Sequence, residues 1–255
     1  MDPGRDLGIA GKVAIVTGGG RGIGLAAARL LARWGSDVIV ADIDAEAGAA
    51  AVAEIRATGG RATHVGLDAC DEAAVGRCFE QIVARRGRID ILVNAVGGGQ
   101  AATLQEITSA AWERMFAFNA RSCFLCAREA ARHMAQVGGG RIVNVSSLAG
   151  VKCSPLQGAH YSAAKAAVIG LTRHLARELG PLGITVNATA PGATLTERIA
   201  ARITPELKAE FTARIPLGRL ATPDDQAGAI LFLVSSLASY ITGVTIDVSG
   251  GILLA

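Results

Sequence analysis

Residues 13–24 read VAIVTGGGRGIG, a short apolar run that leads into a turn in which five of seven residues are glycine. The run VAIVT predicts a buried strand, and the amphipathic residues 22–34 predict a helix directly after the glycines. Glycines let the backbone turn sharply and approach a pyrophosphate, whose charge the free amides of a helix N-terminus stabilise. Strand, glycine turn and helix together predict a dinucleotide-binding site at this turn.

The same alternation of strand and helix continues to the end of the chain. Continuously apolar strands imply a sheet covered on both faces, and strict alternation gives parallel strands joined by right-handed crossovers. We therefore predict an α/β fold of the Rossmann type, a doubly wound parallel sheet of seven strands with helices on both faces. The predicted strands are 13–17, 37–42, 62–68, 89–94, 140–146, 183–190 and 244–250, and the predicted helices are 22–34, 44–58, 71–86, 108–136, 159–179 and 223–236.

No linker or repeat interrupts this pattern, so we expect one dinucleotide-binding and catalytic domain over residues 1–255. Residues 193–222 are the exception, because they form a long insertion between the sixth and seventh strands. Pro205 and Pro216 bracket one short predicted helix within it. Insertions of this length at the carboxyl edge of a sheet often act as lids over a binding site.

Composition excludes several classes of protein. With 51% hydrophobic residues, 18% charged residues and a net charge of +3, the chain is neither disordered nor suited to bind a nucleic-acid backbone. No apolar secretory signal is present at the start, which predicts a cytoplasmic location. Residues 226–246 carry no charge, but their serines and glycine divide them into helix, turn and strand, so no membrane span is expected. The five cysteines and four histidines lack ligand spacing, so free thiols and no metal site are expected.

The pattern TGxxxGxG at residues 17–24 resembles the glycine turn of classical short-chain dehydrogenases/reductases, and the resemblance covers nearly the whole chain. It implies a nicotinamide dinucleotide cofactor held by this turn. The positions that match or adjoin the pattern are Gly18, Arg21, Gly22, Ile23 and Gly24.

Asp42, followed by Ile43, ends the second predicted strand about 20 residues past the glycines. A carboxylate there accepts hydrogen bonds from the adenine ribose and repels a 2′-phosphate, which predicts NAD rather than NADP. Arg21 opposes this prediction, since a basic residue in the turn is common in NADP-dependent relatives. We expect Asp42 to dominate, because it acts directly at the position of the phosphate.

Three further strand ends resemble cofactor-binding segments of the family. Asp68 and Ala69 resemble the pair that contacts the adenine. Asn94 begins a turn like the family's NNAG turn, with Ala95 in place of the second Asn; the main-chain role near the ribose survives that change. The loop at 191–196 resembles the PGxxxT loop that contacts the nicotinamide amide and phosphates, through Pro191, Gly192, Thr194 and Thr196.

Tyr161 and Lys165 are spaced i, i+4 in a predicted helix, so their side chains share one face. A phenol with a pKa of ~10 is a poor acid or base at neutral pH. An ammonium ~4 Å away at an effective dielectric of ~20 favours the phenolate by up to about 4 kcal/mol, or roughly three pKa units. We therefore predict that Lys165 lowers the pKa of Tyr161 and that Tyr161 is the general acid/base.

Ser147 lies 14 residues before Tyr161, close to the interval in the family, and would hold the substrate oxygen; Ser146 is the alternative. Asn119 matches the helix Asn of the family. The alternative for Asn119 is a structural role, as a helix kink or cap. With Tyr161 and Lys165 these residues resemble the family's Asn-Ser-Tyr-Lys tetrad. Ser249 stands where the family's C-terminal VDGG motif has Asp, a change expected to affect packing only.

The expected cavity is mostly apolar and predicts a neutral, moderately hydrophobic secondary alcohol or ketone, unless Arg198 or Arg202 turns inward. One alternative is an NADPH-dependent 3-oxoacyl-acyl-carrier-protein reductase, disfavoured by Asp42 and by neutral turns at 136–139 and 180–182. A more remote alternative is a non-catalytic dinucleotide-binding scaffold. The expected lining residues are Gly98, Gly99, Leu148, Val151, Cys153, Pro155, Leu156 and Leu195.

Surplus apolar residues on helices 108–136 and 159–179 predict contacts with other copies of the chain. The resemblance implies a homotetramer with D2 symmetry, in which these helices pair across one axis and the last strand across another. The apolar ending 252–255 fits burial in the second interface. The surplus residues are Met115, Phe118, Phe124, Leu125, Ala163, Ala166, Ala167, Ile169 and Leu171.

Overall fold

The computed structural model describes residues 7–152, 156–201 and 203–253. Seven parallel strands form one sheet in the order β3-β2-β1-β4-β5-β6-β7, which confirms the predicted topology. The inner strand β1 is buried along its whole length, as its continuous apolar sequence predicts. The strands are β1 Val13–Thr17, β2 Asp37–Asp42, β3 Arg61–Gly66, β4 Ile91–Asn94, β5 Gly140–Val145, β6 Ile184–Pro191 and β7 Thr245–Val248.

Helices cover both faces of the sheet. Residues of α1, α2 and α9 pack into one apolar core, and residues of α3, α5 and α6 pack into a second core on the opposite face. The α-helices are α1 Gly22–Arg33, α2 Ala45–Ala57, α3 Glu72–Arg86, α4 Ser109–Phe116, α5 Ser122–Gln136, α6 Ala159–Leu179, α7 Glu197–Ala200, α8 Pro205–Arg214 and α9 Pro223–Val234.

The order of the strands fixes where a ligand binds. The chain runs outward from β1 to β3 and then returns to place β4 on the other side of β1. Helices that follow β1 and β4 therefore diverge to opposite faces and leave a crevice at the carboxyl ends of these strands. Asp42 and Asn94 are the last residues of β2 and β4 at this edge, and the glycine turn and Ser147 come after β1 and β5.

The predicted helix 108–136 contains a π-helical turn at Ala117–Arg121 between α4 and α5. The apolar periodicity continues across this turn, so the sequence pattern does not reveal it. The insertion also differs from its prediction, because α7 precedes the expected helix α8. Phe211, Ile215 and Leu220 form a small apolar core of the insertion's own.

Membrane-spanning helices, metal sites and disulfides can be examined in the described part of the chain. None of its helices is long and apolar enough to cross a membrane. Residues 7–152, 156–201 and 203–253 contain no group of three potential ligands that could hold a metal ion. The four cysteines among them, Cys70, Cys78, Cys123 and Cys126, are free thiols, whereas Cys153 lies outside the described residues.

Candidate active site

The glycine turn is shaped by close backbone contacts. Gly18 has a φ of +64°, and a Cβ there would lie 3.1 Å from the carbonyl atoms of Ala95. Gly22 begins α1 with a φ of +54°, and Arg21, which precedes the helix, forms no side-chain cap. Among the described residues, the position before α1 supplies no side-chain acceptor to the first amides of the helix, and the turn leaves room for backbone to approach a ligand. This cradle suits a pyrophosphate.

Asp42 is held in place at the end of β2. Its two carboxylate oxygens accept hydrogen bonds from the backbone amides of Gly20 (2.9 Å) and Asp44 (3.0 Å). Arg21 extends toward the same region and forms a salt bridge of 2.6 Å with Asp44, which also caps α2. The basic residue of the glycine turn is thus neutralised, and the group of Arg21, Asp42 and Asp44 keeps one net negative charge.

The predicted adenine contacts lie beside this carboxylate. Ile43 is 70% exposed at the carboxyl edge of the sheet, an apolar side chain without a protein cover. Asp68 is exposed and accepts a hydrogen bond from the amide of Cys70, while Ala69 is buried. These residues border an open surface with the apolar side chain of Ile43 on one side, which fits the adenine ring.

Asn94 has a structural role that the sequence did not reveal. It is buried and donates to Asn144 Oδ1 at 2.9 Å, and Asn144 in turn donates to Thr172 Oγ1 at 2.9 Å. This chain of side chains ties β4 to β5 and to α6. It fixes the strand that precedes Ser147 relative to the helix that carries Tyr161. An asparagine within the apolar run of β5 is the signal that could have identified Asn144.

The loop after β6 brings Thr196 close to the glycine turn. Its Cγ2 lies 3.3 Å from where a Cβ on Gly22 would be, and its hydroxyl caps α7. Thr194 is buried, and its hydroxyl donates to the carbonyl of Gly192 and accepts from Gln226. Thr196 therefore lies nearer the expected phosphates, whereas Thr194 already has two partners. Pro191 ends β6 just before this loop.

Ser249 lies behind this loop and packs against it. A Cβ on Gly192 would lie 2.9 Å from Ser249 Cα, and the serine hydroxyl donates to Asp247 at 3.0 Å. Gly192 therefore leaves room for the backbone of the C-terminal segment. Ser249 makes packing contacts here, as its sequence position suggested.

Asn119 lies in the π-helical turn and is fully buried. Its side-chain oxygen accepts from the amide of Gly98, and its side-chain nitrogen donates to the carbonyls of Gly98 and Met115. A π-turn widens the helix, leaves carbonyls without their usual partners and is frequent at functional sites. The π-turn directs Asn119 toward the loop that follows β4. Asn119 therefore both marks an irregular turn of the helix and contacts the candidate site.

Residues 97–99 form a backbone floor beneath several functional side chains. A Cβ on Gly97 would lie 2.7 Å from Asn119 Oδ1 and 2.8 Å from Lys165 Nζ. A Cβ on Gly98 would meet the guanidinium of Arg198, and one on Gly99 would meet Gln157 and the ring of Tyr161. Only glycine leaves space for all of these groups, and we refer to residues 97–99 as the glycine floor.

Lys165 is 3% exposed, and its ammonium donates to the carbonyl of Val145 at 2.8 Å. Burial lowers the pKa of Lys165 to about 8, and the positive charge of Arg198 acts in the same direction. The ammonium lies 5.9 Å from the centre of the Tyr161 ring. It is therefore a buried cation behind the tyrosine.

The two candidate serines have different surroundings. The hydroxyl of Ser146 is buried and donates to the carbonyl of Lys165 at 2.8 Å, which ties β5 to α6. Ser147 Oγ accepts from the amide of Ala149, and the Ser147 side chain is close enough to Tyr161 to lower the pKa of the phenol. Ser147 therefore faces Tyr161 with its hydroxyl, whereas Ser146 joins two elements of the fold.

The electrostatic prediction for Tyr161 is wrong in this structure. Burial raises the pKa of Tyr161, and the effect exceeds the opposing influence of the Ser147 hydroxyl and of the Arg198 charge. Lys165 is not among the groups that lower that pKa; its ammonium donates to the carbonyl of Val145 and lies 5.9 Å from the centre of the Tyr161 ring. The phenol, not the phenolate, is the main form at neutral pH.

Arg198 and Gln157 both lie in the cleft. The sequence left the direction of Arg198 open, and it did not indicate Gln157. The guanidinium of Arg198 lies over Gly98, so this arginine does turn inward. Gln157 lies over Gly99 beside Tyr161, one helical turn before it in the sequence. The arginine could be suspected from its place in the insertion, but its direction depends on how the insertion packs.

The remaining wall of the cleft agrees in part with the predicted apolar lining. Leu148 begins the short 3-10 turn after Ser147, and Val151 and Leu156 are exposed near it. Leu195 packs against the apolar core of the insertion. Cys153, Pro155 and Arg202, which were also expected near the cavity, lie outside the described residues.

Comparison with known proteins gives consistent matches along the chain. Residues 18–253 match a family model described as enoyl-(acyl carrier protein) reductase. Cis-4-hydroxycyclohexanecarboxylate dehydrogenase of Sinomonas cyclohexanicum is 41% identical over 94% of this chain and 96% of its own. The 3-oxoacyl-[acyl-carrier-protein] reductase FabG of Aquifex aeolicus is 39% identical over 96% and 99%. The structure of a 7α-hydroxysteroid dehydrogenase with NADH and 7-oxo glycochenodeoxycholic acid has a TM-score of 0.93, with 36% identity over 98% of both chains.

Proposed function

The chain belongs to the short-chain dehydrogenase/reductase family, and on that premise we propose that it interconverts a secondary alcohol and a ketone with NAD(H). The observation that carries this proposal is that Ser147 follows β5 and Tyr161 lies over Gly99 after β4, at the edge of the sheet that also holds the glycine cradle. A proton donor, an oxygen-binding hydroxyl and a dinucleotide site meet there. We further propose that one domain carries both the cofactor and the catalytic residues.

The residues of the cleft divide the chemistry between them. When bound, the oxidised nicotinamide supplies the acceptor for hydride and a positive charge. Tyr161 takes the proton from the alcohol oxygen at its phenolic oxygen, or returns it during ketone reduction. Ser147 holds the same substrate oxygen by a hydrogen bond and stabilises the negative charge that develops on it.

Lys165 and Asn119 complete the site from behind. Lys165 places a positive charge near Tyr161 and would bind the nicotinamide ribose when the cofactor is present. Asn119 fixes the main chain of Gly98 through two hydrogen bonds and thereby positions the floor beneath the reacting groups. Its role is positioning, because its polar atoms contact protein backbone in this structure.

Three charged residues support NAD as the cofactor. A 2′-phosphate on the adenine ribose would approach the carboxylate of Asp42, which two backbone amides hold in place. Asp44 binds the guanidinium of Arg21, so this arginine does not stand free to receive the phosphate. Like charges at such short range disfavour NADP.

The main alternative is an NADPH-dependent 3-oxoacyl-acyl-carrier-protein reductase. A relative with that name is 39% identical, which supports it. The Asp42 group and the neutral, partly exposed turns at Val137 and Leu182 favour the alcohol dehydrogenase instead. The similarity to a dehydrogenase of a hydroxycyclohexanecarboxylate points to an alicyclic alcohol as the first substrate class to examine.

We also propose that the protein is a homotetramer. Trp112, Phe118 and Phe124 on α4, the π-turn and α5 are 38–42% exposed, an apolar surface that a second copy would cover. Leu125 and Ile169, which we had assigned to such contacts, are instead buried within the chain. The second interface would involve the C-terminal segment, of which 254–255 lie outside the described residues. A cytoplasmic location stays a prediction.

A panel of secondary alcohols followed by NADH absorbance tests the proposed activity, with NADP+ run in parallel. We expect turnover of at least one alicyclic alcohol and a clear preference for NAD+. Turnover of 3-oxoacyl thioesters with NADPH, without oxidation of simple alcohols, would support the alternative reductase.

A further inference from the structure

Arg198 places a cation in the catalytic cleft that the reaction as proposed does not require. A Cβ on Gly98 would lie 3.1 Å from its Cζ and 3.2 Å from its Nη2, so the guanidinium rests on the middle residue of the glycine floor. Lys165 lies over Gly97 on one side of it, and Tyr161 lies over Gly99 on the other. The cation is therefore centred among the groups that handle the substrate.

The charge of Arg198 acts on the reacting groups themselves. It lowers the pKa of Tyr161 and the pKa of Lys165, although Arg198 itself is an exposed residue. No other residue of the insertion is among the causes of these shifts. Arg198 is thus electrically part of the active site although its helix, α7, belongs to the insertion.

Arg198 has no carboxylate partner within the part of the chain that the structure describes. Two other arginines near it in sequence do have one, since Arg214 pairs with Glu210 and Arg219 with Asp225. Glu197, the neighbour of Arg198, is directed toward Gly22 of the glycine turn instead. A guanidinium presents donors in a planar fork that matches a carboxylate, so an unpaired one in a cleft is suited to bind an anion.

Gln157 adds a second polar group at the same floor. Its side-chain oxygen is buried and has no hydrogen-bond partner, and it lies over Gly99 beside the ring of Tyr161. A buried acceptor without a partner costs free energy, which a hydrogen-bond donor such as a substrate hydroxyl would recover, whereas a carboxylate would not. The substrate side of the cleft therefore offers a cation and an amide where an apolar pocket was expected.

We propose that Arg198 binds a carboxylate of the substrate, which makes the natural substrate a hydroxy acid or the matching oxo acid. The proposal rests on the proposed function, because it assigns the alcohol to Tyr161 and the acid to Arg198. It replaces the expectation of a neutral substrate. The other anion within reach is a phosphate of the cofactor, and the experiment separates the two.

The test compares an acid with its neutral isostere. Calorimetry on the full chain with excess NADH measures the Kd of cyclohexanecarboxylate and of cyclohexanecarboxamide, for the wild type, Arg198→Met and Arg214→Met. The last variant is the control, since it removes a cation of the same insertion that faces solvent. We expect the wild type and Arg214→Met to prefer the acid, and Arg198→Met to lose about ten- to a hundredfold in affinity for the acid alone.

Two binding results would overturn the proposal. The first is an equal affinity of the wild type for acid and amide, or a preference for the acid that survives Arg198→Met. The second is a weaker NADH affinity in Arg198→Met with an unchanged preference for the acid, which would assign the arginine to the cofactor. These affinities are measured without turnover. If the wild type does not oxidise alcohols, that result counts against the proposed function, whereas the affinities still decide whether Arg198 binds a carboxylate.

Turnover provides a second readout. Oxidation of cis-4-hydroxycyclohexanecarboxylate and of its carboxamide by NAD+ should differ in KM in the wild type, and Arg198→Met should raise the KM of the acid only. A matched rise for both compounds would contradict a carboxylate site at Arg198.

Discussion

Replacement of Lys165 by methionine should change how the stability of the protein depends on pH. Burial lowers the pKa of Lys165 to about 8 from its ordinary value of 10.5. Between these two values the unfolded chain binds a proton that the folded chain has released, so the free energy of unfolding of the wild type rises with pH. The variant has no titrating group at this position, so it lacks this rise.

The pKa change sets the size of the effect. One pKa unit corresponds to about 1.4 kcal/mol, so the buried ammonium costs the folded state about 3 kcal/mol at pH 7. Most of this cost disappears by pH 10. The free energy of unfolding of the wild type, minus that of Lys165→Met, should therefore increase by about 2 to 3 kcal/mol from pH 7 to pH 10. Tyr161 and the buried Cys78, whose pKa values burial raises, titrate in both proteins and cancel in the difference.

Urea denaturation at pH 7, 8, 9 and 10 measures this difference, at one protein concentration because association affects stability. The exposed Lys208, replaced by methionine, is the control, and its difference from the wild type should stay flat because its side chain is in solvent in both states. A flat or falling difference for Lys165→Met would refute the reasoning, since it would mean that the ammonium is not destabilised by burial.

Three further predictions concern the cofactor, the reaction and the assembly. Asp42→Ala should narrow the preference for NAD+ over NADP+ by about tenfold or more, and Asp44→Asn should narrow it further by releasing Arg21. If the ratio of kcat/KM with NAD+ to kcat/KM with NADP+ is unchanged, the role of these carboxylates is contradicted. Because burial raises the pKa of Tyr161, the rate of alcohol oxidation should increase as pH rises above neutrality, and Arg198→Met should move this increase to higher pH. A rate of oxidation that is constant from pH 7 to pH 10 would count against Tyr161 as the base. Light scattering should give a mass four times the 26.0 kDa of one chain, whereas a monomer mass would exclude both proposed interfaces.

The fold was predictable because its signals are local. The inner strands such as β1 are apolar runs, and several helices have a polar start, such as Asp44 before α2 and Asp71 before α3, whose side chains cap the helix in the structure. The glycine turn was recognisable for the same reason, since Gly18 and Gly22 require conformations with positive φ. Strand ends at the carboxyl edge then placed the candidate cofactor residues together.

What the sequence did not show depends on side-chain direction and on packing between distant segments. The spacing of Tyr161 and Lys165 predicted that the two side chains share one face, but it did not predict that the Lys165 ammonium donates to the carbonyl of Val145 at the end of β5. The π-turn around Asn119 keeps the apolar periodicity of an ordinary helix. Arg198 reaches Gly98 only because the insertion packs over the cleft, a contact between residues a hundred positions apart.

The central claim is that Tyr161 transfers the proton in an NAD-linked oxidation of a secondary alcohol. Its most direct test measures NADH formation by the wild type and by Tyr161→Phe with the best alcohol of the panel, together with the Kd of NADH for both proteins. Loss of the hydroxyl alone should lower kcat by about a hundredfold or more and leave the Kd of NADH within about twofold. A Tyr161→Phe variant that keeps more than a few per cent of the wild-type kcat would contradict the claim and assign the proton transfer to another group.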